Sequence, residues 1–317
     1  MPLLESVPNV SEGRDAGLVA AIGEAFGSTG ATLVDVHRDP WHHRSVFTLL
    51  GEGAALTDGL VAGLALARAR IDLAGHEGAH PRVGVVDVVP LIALAPEDEA
   101  AADVIALQVA ERAGAELGLP VFLYGRLSEG RRPAFYRAGG VDELRRRVDA
   151  GELRPAFGPD RVDARSGAVL VGSRRPLVAF NVVLDGPLEV AREVAAAVRA
   201  LSGGLPGVQA LGLRLGDGRV QVSTNVVDVG ATAPHALVER IVAEAGRRGV
   251  AAGEGELVGL LPAASVAAAA TAAGVVLPLV DGLPTDDALV AAARALRLPK
   301  LELDRVVEWH LSRLASG

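Results

Sequence analysis

Residues 208–229 read VQALGLRLGDGRVQVSTNVVDV and predict an antiparallel hairpin. Two runs rich in valine and leucine flank Gly216-Asp217-Gly218, and such a short glycine-rich break is typical of the turn between paired strands. The surrounding pattern indicates a strand at 177–184, a helix at 188–201, a helix that Thr232 caps, and a strand at 257–261. The predicted order of this half is therefore β-α-β-β-α-β.

The first half of the chain repeats that order. Its predicted strands lie at 3–7, 31–36, 45–50 and 83–91, and its helices at 15–26 and 56–71. A helix after Pro96, a strand at 121–124, a helix at 141–150, and loops at 125–140 and 151–167 follow. Antiparallel strands with helices on one face predict an α+β protein of two ferredoxin-like subdomains with a ligand cleft between them. We place the subdomains at 1–175 and 176–317.

Composition excludes several classes of function. The 317 residues are 50% hydrophobic, which is ample for a packed core, and the formal net charge of -8 argues against general nucleic-acid binding. No cysteine is present, so disulfides, thiolate metal sites and cysteine nucleophiles are excluded. The N-terminus does not have the pattern of a signal peptide, and no apolar run is long enough to span a membrane. We therefore expect a cytoplasmic protein.

Five of the seven histidines lie in two short segments before residue 81. His76-Glu77-Gly78-Ala79-His80 matches the H-E-x-x-H of zinc hydrolases, in which one face of a helix carries both rings. Gly78 and the proline after His80 disfavour that helix, so we expect no metal. A zinc hydrolase that uses His76, Glu77 and His80 remains the weaker alternative.

His80 is the best candidate for a general acid/base. It lies just before Pro81 and a buried strand, and an imidazole exchanges protons near neutral pH. Arg44 and Arg82 lie beside the two histidine segments. Because guanidinium groups bind carboxylates in a bidentate manner, these arginines indicate an acidic substrate.

Longer sequence blocks connect these residues to a known family. They are VPNVSEG (7–13), RSVFT (44–48), HPRVGVVDV (80–88), VFLYG (121–125), FGP (157–159), AFN (179–181), QVSTN (221–225) and LVGLLP (257–262). In this order and over about residues 3–310, the chain resembles the glutamate formimidoyltransferase (formiminotransferase) family of histidine catabolism and one-carbon metabolism.

The resemblance implies transfer of a formimidoyl group from N-formimidoyl-L-glutamate to N5 of tetrahydrofolate, which is a co-substrate. It also implies two ferredoxin-like subdomains, a homodimer, and a monofunctional transferase without the cyclodeaminase domain of some members. The partners are small molecules, with no nucleic acid or membrane. His80 corresponds to the catalytic histidine of the family. The folate-binding loop corresponds to Gly158, Pro159, Asp160, Arg161, Val162, Asp163, Ala164, Arg165, Ser166 and Gly167. Weaker candidates for substrate binding are Asp39, Arg44 and Arg82.

Residues 35–44 depart from the family pattern. Some members carry an acidic residue where His37 stands and asparagine where His43 stands. That acidic residue is implied to position the catalytic histidine, and Asp39 is the nearest substitute. The departure leaves a second alternative, a folate-binding homologue without catalytic activity.

Overall fold

The structure is a computed structural model that describes residues 2–315. The chain divides into two compact units, of which the first ends at Pro176 and the second begins at Leu177. Within the described residues, no helix is long and apolar enough to cross a membrane.

The first unit is built around one mixed sheet of seven strands. Its elements are β1 (Leu3–Ser6), β2 (Asn9–Val10), α1 (Ala16–Gly27), β3 (Thr32–Asp39), β4 (Arg44–Glu52), α2 (Gly53–Arg70), β5 (Val86–Ala93), α3 (Glu99–Leu117), β6 (Val121–Gly125), α4 (Pro133–Arg137), α5 (Gly140–Asp149) and β7 (Val169–Arg174). β1 and β2 both lie between β4 and β5, and β3 pairs with the other edge of β4. β7 and β6 extend the sheet beyond β5 in parallel.

Apolar side chains cover both faces of this sheet. Val169 and Val171 pack in one core cluster with helix residues such as Ile105, whereas Leu170 packs in another cluster with Leu144. Successive residues of a strand point to opposite faces, so the two clusters lie on opposite sides. β5 is buried along its whole length, as the dense apolar run at 83–91 predicted.

The second unit contains a four-stranded antiparallel sheet. Its elements are β8 (Val178–Asp185), α6 (Leu188–Val198), β9 (Val208–Arg214), β10 (Val220–Val226), α7 (Pro234–Arg247), β11 (Ala251–Val258), α8 (Ala263–Ala272), β12 (Leu279–Val280), β13 (Leu283–Pro284), α9 (Asp286–Ala295) and α10 (Val307–Ala315). The strand order is β11-β8-β10-β9, and β12 pairs with β13 in a separate two-stranded sheet. The predicted hairpin is confirmed, because β9 and β10 pair from Val220 opposite Arg214 onward.

Several predicted details are wrong. Thr232 does not cap α7; its hydroxyl donates to the carbonyl of Pro206 at 2.7 Å, and Ala233 precedes the helix. β11 begins at Ala251, six residues before the prediction, because small and acidic residues there pair with β8 around a bulge. β7 was not predicted, and α4 lies inside the predicted loop 125–140.

Candidate active site

His80 lies in residues 71–85, an irregular segment between α2 and β5. Backbone hydrogen bonds fix the end of this segment: Val85 N–H donates to the carbonyl of Ser166 at 3.0 Å, and Ser11 N–H donates to the carbonyl of Val85 at 2.8 Å. The segment therefore has a defined position although it forms neither a helix nor a regular strand.

The Nδ1 atom of His80 has two competing neighbours. Arg44 Nη1 lies 2.9 Å from it, and the carbonyl oxygen of Pro81 lies 2.7 Å from it. A guanidinium only donates and a carbonyl only accepts, so each neutral tautomer satisfies one of the two. When Nδ1 carries the proton and donates to Pro81, the lone pair is on Nε2. Nε2 is then the nitrogen that can accept a proton.

Electrostatics keep His80 in its base form. Burial, followed by the positive charges of Arg44 and Arg137, holds the pKa of His80 well below its usual value of 6.5. The ring is consequently neutral at pH 7.

Asp87 anchors the two arginines around His80. Its Oδ1 accepts from Val83 N–H at 2.9 Å, and its Oδ2 accepts from Arg44 Nη1 at 3.1 Å and from Arg137 Nη2 at 2.5 Å. Burial raises the pKa of this carboxyl, but the nearby charges of Arg137 and Arg44 outweigh that effect and lower the pKa below 3.8. A carboxylate that is only 1% exposed requires such partners.

Arg44 connects Asp87 to the first strands. Its Nε donates to Asn9 Oδ1 at 2.9 Å, and its Nη2 donates to the same oxygen. Burial lowers the pKa of Arg44 to about 9, with Asp87 opposing the shift and Arg137 adding to it. The guanidinium therefore remains charged at neutral pH.

Arg82 braces the backbone of both histidine segments. Its Nη2 donates to the carbonyls of His42 at 2.8 Å and His80 at 2.9 Å, and its Nη1 donates to the carbonyl of His43 at 3.1 Å. Its Nε donates to His80 again at 3.2 Å, and Nη1 also donates to His76 Nδ1 at 2.7 Å. One guanidinium thus sets the distance between the turn at 42–43 and the segment that carries His80.

His76 is held as a neutral ring. Its Nε2 donates to the carbonyl of Ser11 at 2.9 Å while its Nδ1 accepts from Arg82. Burial, followed by the charges of Arg82 and His43, lowers the pKa of His76 to about 4. Both nitrogens are engaged with protein groups and the segment is not helical, so His76 and His80 do not form the helical pair of a zinc hydrolase. Within residues 2–315, no cluster of at least three histidine or acidic side chains could hold a metal ion.

Asp39 contacts His42, and no hydrogen bond joins it to His80. Its Oδ1 accepts from the N–H groups of Trp41 at 2.7 Å and His42 at 2.9 Å, and its Oδ2 pairs with Nδ1 of His42. The His42 ring meets the His80 ring edge-on, with 6.3 Å between centroids. Asp39 therefore reaches the neighbourhood of His80 through His42.

His43 lies on the other side of the same turn. Its ring stacks on His76 with 3.8 Å between centroids, and its nitrogens lie 3.1 Å from the carbonyl of Glu77 and 3.2 Å from the carboxylate of Glu12. Its φ of 48° is in the left-handed region, which histidine and asparagine adopt more readily than most residues. The structure therefore has a place for either residue at position 43.

The loop 158–167 is joined to the segment that carries His80. Gly84 and Gly167 form an isolated antiparallel bridge, and Leu73 N–H donates to the carbonyl of Arg165 at 2.9 Å. Within the loop, Asp163 accepts from the Ser166 N–H at 3.0 Å and from its hydroxyl. Gly167 has a φ of 67°, and a Cβ there would lie 2.1 Å from the carbonyl of Val83, so only glycine fits this contact.

The structure brings together some of the sequence-predicted residues and adds others. Arg44 contacts the ring of His80, Arg82 binds its carbonyl, and the end of the loop 158–167 contacts Gly84 and Val85 in the same segment. Sequence reasoning assigned no role to four further residues: Asn9, His42, Asp87 and Arg137. A lone carboxylate inside the apolar run 83–91 was the available signal for Asp87, because a buried charge needs a partner. Nothing comparable marked Arg137, which is one of several arginines in a glycine-rich stretch.

Comparison with known proteins identifies the class. Residues 3–174 match the N-terminal subdomain of the formiminotransferase domain, and residues 179–273 match the formiminotransferase domain. The chain belongs to the formiminotransferase family.

Individual relatives carry more specific names. A glutamate formimidoyltransferase of Thermoplasma acidophilum is 35% identical over 83% of this chain and 89% of its own length, and one of Streptococcus pyogenes is 34% identical over 82% and 89%. The formimidoyltransferase-cyclodeaminase of Gallus gallus is 34% identical over 82% of this chain but only 50% of its own length.

Proposed function

We propose that this chain is a transferase that moves the formimidoyl group of N-formimidoyl-L-glutamate to N5 of tetrahydrofolate, giving 5-formimidoyltetrahydrofolate and L-glutamate. The names and coverage of the relatives support the activity. The observation that carries the mechanism is the neutral imidazole of His80, whose Nδ1 can donate to the carbonyl of Pro81 while Nε2 accepts a proton.

The proposed reaction needs one proton to be moved. N5 of tetrahydrofolate attacks the formimidoyl carbon and forms a tetrahedral intermediate, and Nε2 of His80 takes the proton that N5 loses. The bond from that carbon to the glutamate nitrogen then breaks, and His80 returns the proton to the leaving amine. A single residue serves both steps because the proton that it accepts is the one that it returns. The positive charges of Arg44 and Arg137 favour this return.

We propose that the loop from Gly158 to Gly167 binds tetrahydrofolate and that Arg44 and Asp39 contribute indirectly. Support for the loop is its backbone attachment to residues 73 and 84, which places its end beside the His80 segment. Arg44 supports Asp87 and His80, and Asp39 orients His42. Arg82 maintains the backbone of the site, and its N–H groups already have protein acceptors.

We also propose that both units belong to the ferredoxin-like class and that the boundary between them lies near residues 175–176. We further propose that the protein is a homodimer and that it is located in the cytoplasm. In the second unit the strands lie side by side in the order β11, β8, β10, β9, so the fourth strand of the β-α-β-β-α-β segment is next to the first, and the third lies between the first and the second. The first unit has the same order, β5, then β1 and β2, then β4 and β3, when β1 and β2 are counted together as the first strand. This shared order supports the ferredoxin-like class. The dimer is a prediction from the family resemblance, and light scattering of the purified protein tests it. The lack of cysteine is compatible with the proposed location.

The decisive experiment mixes purified protein with tetrahydrofolate and N-formimidoyl-L-glutamate, with and without a chelator, and measures released glutamate. We expect release that requires the folate and resists the chelator. Loss of release with the chelator would support the metal-dependent alternative. Folate binding without release would refute the transferase and support a non-catalytic homologue, unless N-formyl-L-glutamate replaces the donor and restores turnover.

A further inference from the structure

The three arginines around His80 differ in how many of their N–H groups already have acceptors. A guanidinium has five N–H groups. All five of Arg82 donate to the carbonyls of three residues and to the ring of His76. Arg44 donates two hydrogen bonds toward Asn9 and one toward Asp87, and the other hydrogen of its Nη1 faces the ring of His80, so at most one of its N–H groups points away from these residues. Neither residue has the pair of adjacent N–H groups that a carboxylate needs.

Arg137 is different. Its one hydrogen bond to another described residue runs from Nη2 to Asp87 Oδ2. The side chain of Arg137 is only 15% exposed. Its Nε is buried and has no hydrogen-bond acceptor within the described part of the chain. A buried donor without an acceptor is costly, and native proteins rarely leave one unless a ligand or a water supplies the acceptor.

We propose that Arg137 binds the α-carboxylate of the amino acid that carries the formimidoyl group. This inference rests on the proposed function. Nε and Nη2 lie on the same side of the guanidinium and form a fork that holds both oxygens of a carboxylate, while the other hydrogen of Nη2 keeps its contact with Asp87.

Position favours the α-carboxylate over the distal one. Asp87 accepts from both Arg137 and Arg44, and Arg44 contacts His80, so these hydrogen bonds join Arg137 to the proposed base. In the donor, the α-carboxylate is attached to the carbon that bears the leaving nitrogen. That nitrogen must reach His80, and its neighbouring carboxylate then lies close to Arg137.

The test combines one substitution with three donors. Arg137→Gln removes the charge and the fork. N-formimidoyl-L-glutamate carries both carboxylates, N-formimidoyl-4-aminobutyrate lacks the α-carboxylate, and N-formimidoyl-L-2-aminobutyrate lacks the distal one. We expect Arg137→Gln to lower kcat/KM by ~30-fold or more for the two donors that have an α-carboxylate, mainly through KM. For 4-aminobutyrate as carrier we expect a loss at least ~10-fold smaller, which reflects only the charge that Arg137 supplies beside Asp87 and His80.

Two results would overturn the assignment. Equal losses for all three donors would show that Arg137 acts on His80 or on the fold, and a loss confined to donors with the distal carboxylate would assign it to that group. The matched control is Arg132→Gln, an exposed arginine that precedes the same helix, and it should change no donor by more than ~2-fold. Thermal unfolding of each variant monitors folding.

Binding separates this inference from the proposed function. If wild-type protein turns over none of the donors, the transferase proposal fails. Titration calorimetry with L-glutamate and 4-aminobutyrate then still tests Arg137. We expect wild-type protein to bind glutamate more tightly and Arg137→Gln to remove that preference. An unchanged preference, or none in wild-type protein, would refute the inference.

Discussion

Asp87→Asn is the sharpest test of how the site is held together. The substitution keeps the shape of the side chain and removes its charge. The asparagine oxygen can still accept from Val83 N–H, but the new amide group then faces Arg44 and Arg137, which are also donors. Two guanidinium groups, only 14% and 15% exposed, would lose their shared counter-charge.

The expected loss is about 3–5 kcal/mol in the free energy of unfolding. Each charge-assisted hydrogen bond of this kind contributes about 1.5–3 kcal/mol, and removing one partner of a buried ion pair costs about 3–5 kcal/mol. With a urea dependence of about 2–3 kcal/mol per molar, the midpoint of the first unit should fall by about 1 M or more. Urea titration followed by circular dichroism measures the shift.

The pH dependence has a defined sign. The folded pKa of Asp87 is depressed, because the charges of Arg137 and Arg44 outweigh burial. The stabilisation is therefore complete above the unfolded value of about 3.9 and is lost as pH falls through the folded pKa. The difference between wild type and Asp87→Asn should stay constant from pH 8 to pH 5.

The matched control is Asp58→Asn. Asp58 also pairs with an arginine, Arg112 at 2.5 Å, but its side chain is 51% exposed. Exposed pairs contribute about 0–1 kcal/mol, so this variant should unfold almost as wild type does. A loss below about 1 kcal/mol for Asp87→Asn, or equal losses for the two variants, would refute the reasoning.

Three further predictions follow from the same site. His80→Ala should lower turnover by ~100-fold or more without unfolding the protein, and wild-type kcat/KM should stay level from pH 8 to pH 6.5 because the pKa of His80 is low. Because the folded pKa of His76 is about 4, the wild-type protein should lose about 1–2 kcal/mol of its free energy of unfolding as pH falls from 6.5 to about 4, after allowance for partial exposure. His76→Gln should lack this loss, and urea unfolding at several pH values measures it. Asp39→Asn should cost about 1 kcal/mol by weakening the contact with His42 while the backbone N–H acceptor remains, as urea unfolding would show.

Each of these predictions has a contrary result. Turnover that persists in folded His80→Ala would remove His80 from the mechanism. A proton NMR titration that places the pKa of His76 near 6.5 would contradict its locked neutral state. Asp39→Asn as stable as wild type would show that the contact with His42 adds nothing. His310→Gln is a control for the histidine variants, since His310 lies on α10 in the second unit.

Periodicity predicted most of the regular elements, because hydrophobic spacing depends on neighbours along the chain. It failed where pairing with a distant strand decides the structure. The stretch from Ala251 to Glu256 carries small and acidic residues, and it becomes a strand only through its register with β8. Thr232 has the side chain of a helix cap, but the carbonyl of Pro206 takes its hydroxyl.

In the candidate site too, features that depend on neighbours along the chain were predictable, and features that depend on distant residues were not. His80 was selected as a candidate from its place in a motif, and Arg44 and Arg82 from their proximity to histidines in the sequence; the structure brings both arginines into contact with His80. The division of labour among the arginines was not predictable, because it depends on acceptors from residues far apart in the chain. Arg137 is 50 residues from Asp87, and only the folded sheet brings them together. Asp39 was expected beside His80, and its actual partner is the nearer His42.

Arg82 also determines which sequence changes the site tolerates. In the turn at 42–43 it binds only main-chain oxygens, and every residue type supplies these. Side chains on that turn can therefore be exchanged during divergence without disturbing the anchor of the neighbouring segment. A different residue type at position 43 would leave Arg82 with the same two carbonyl contacts in this turn. By the same reasoning, replacing Arg82 would be harmful even if every histidine were retained.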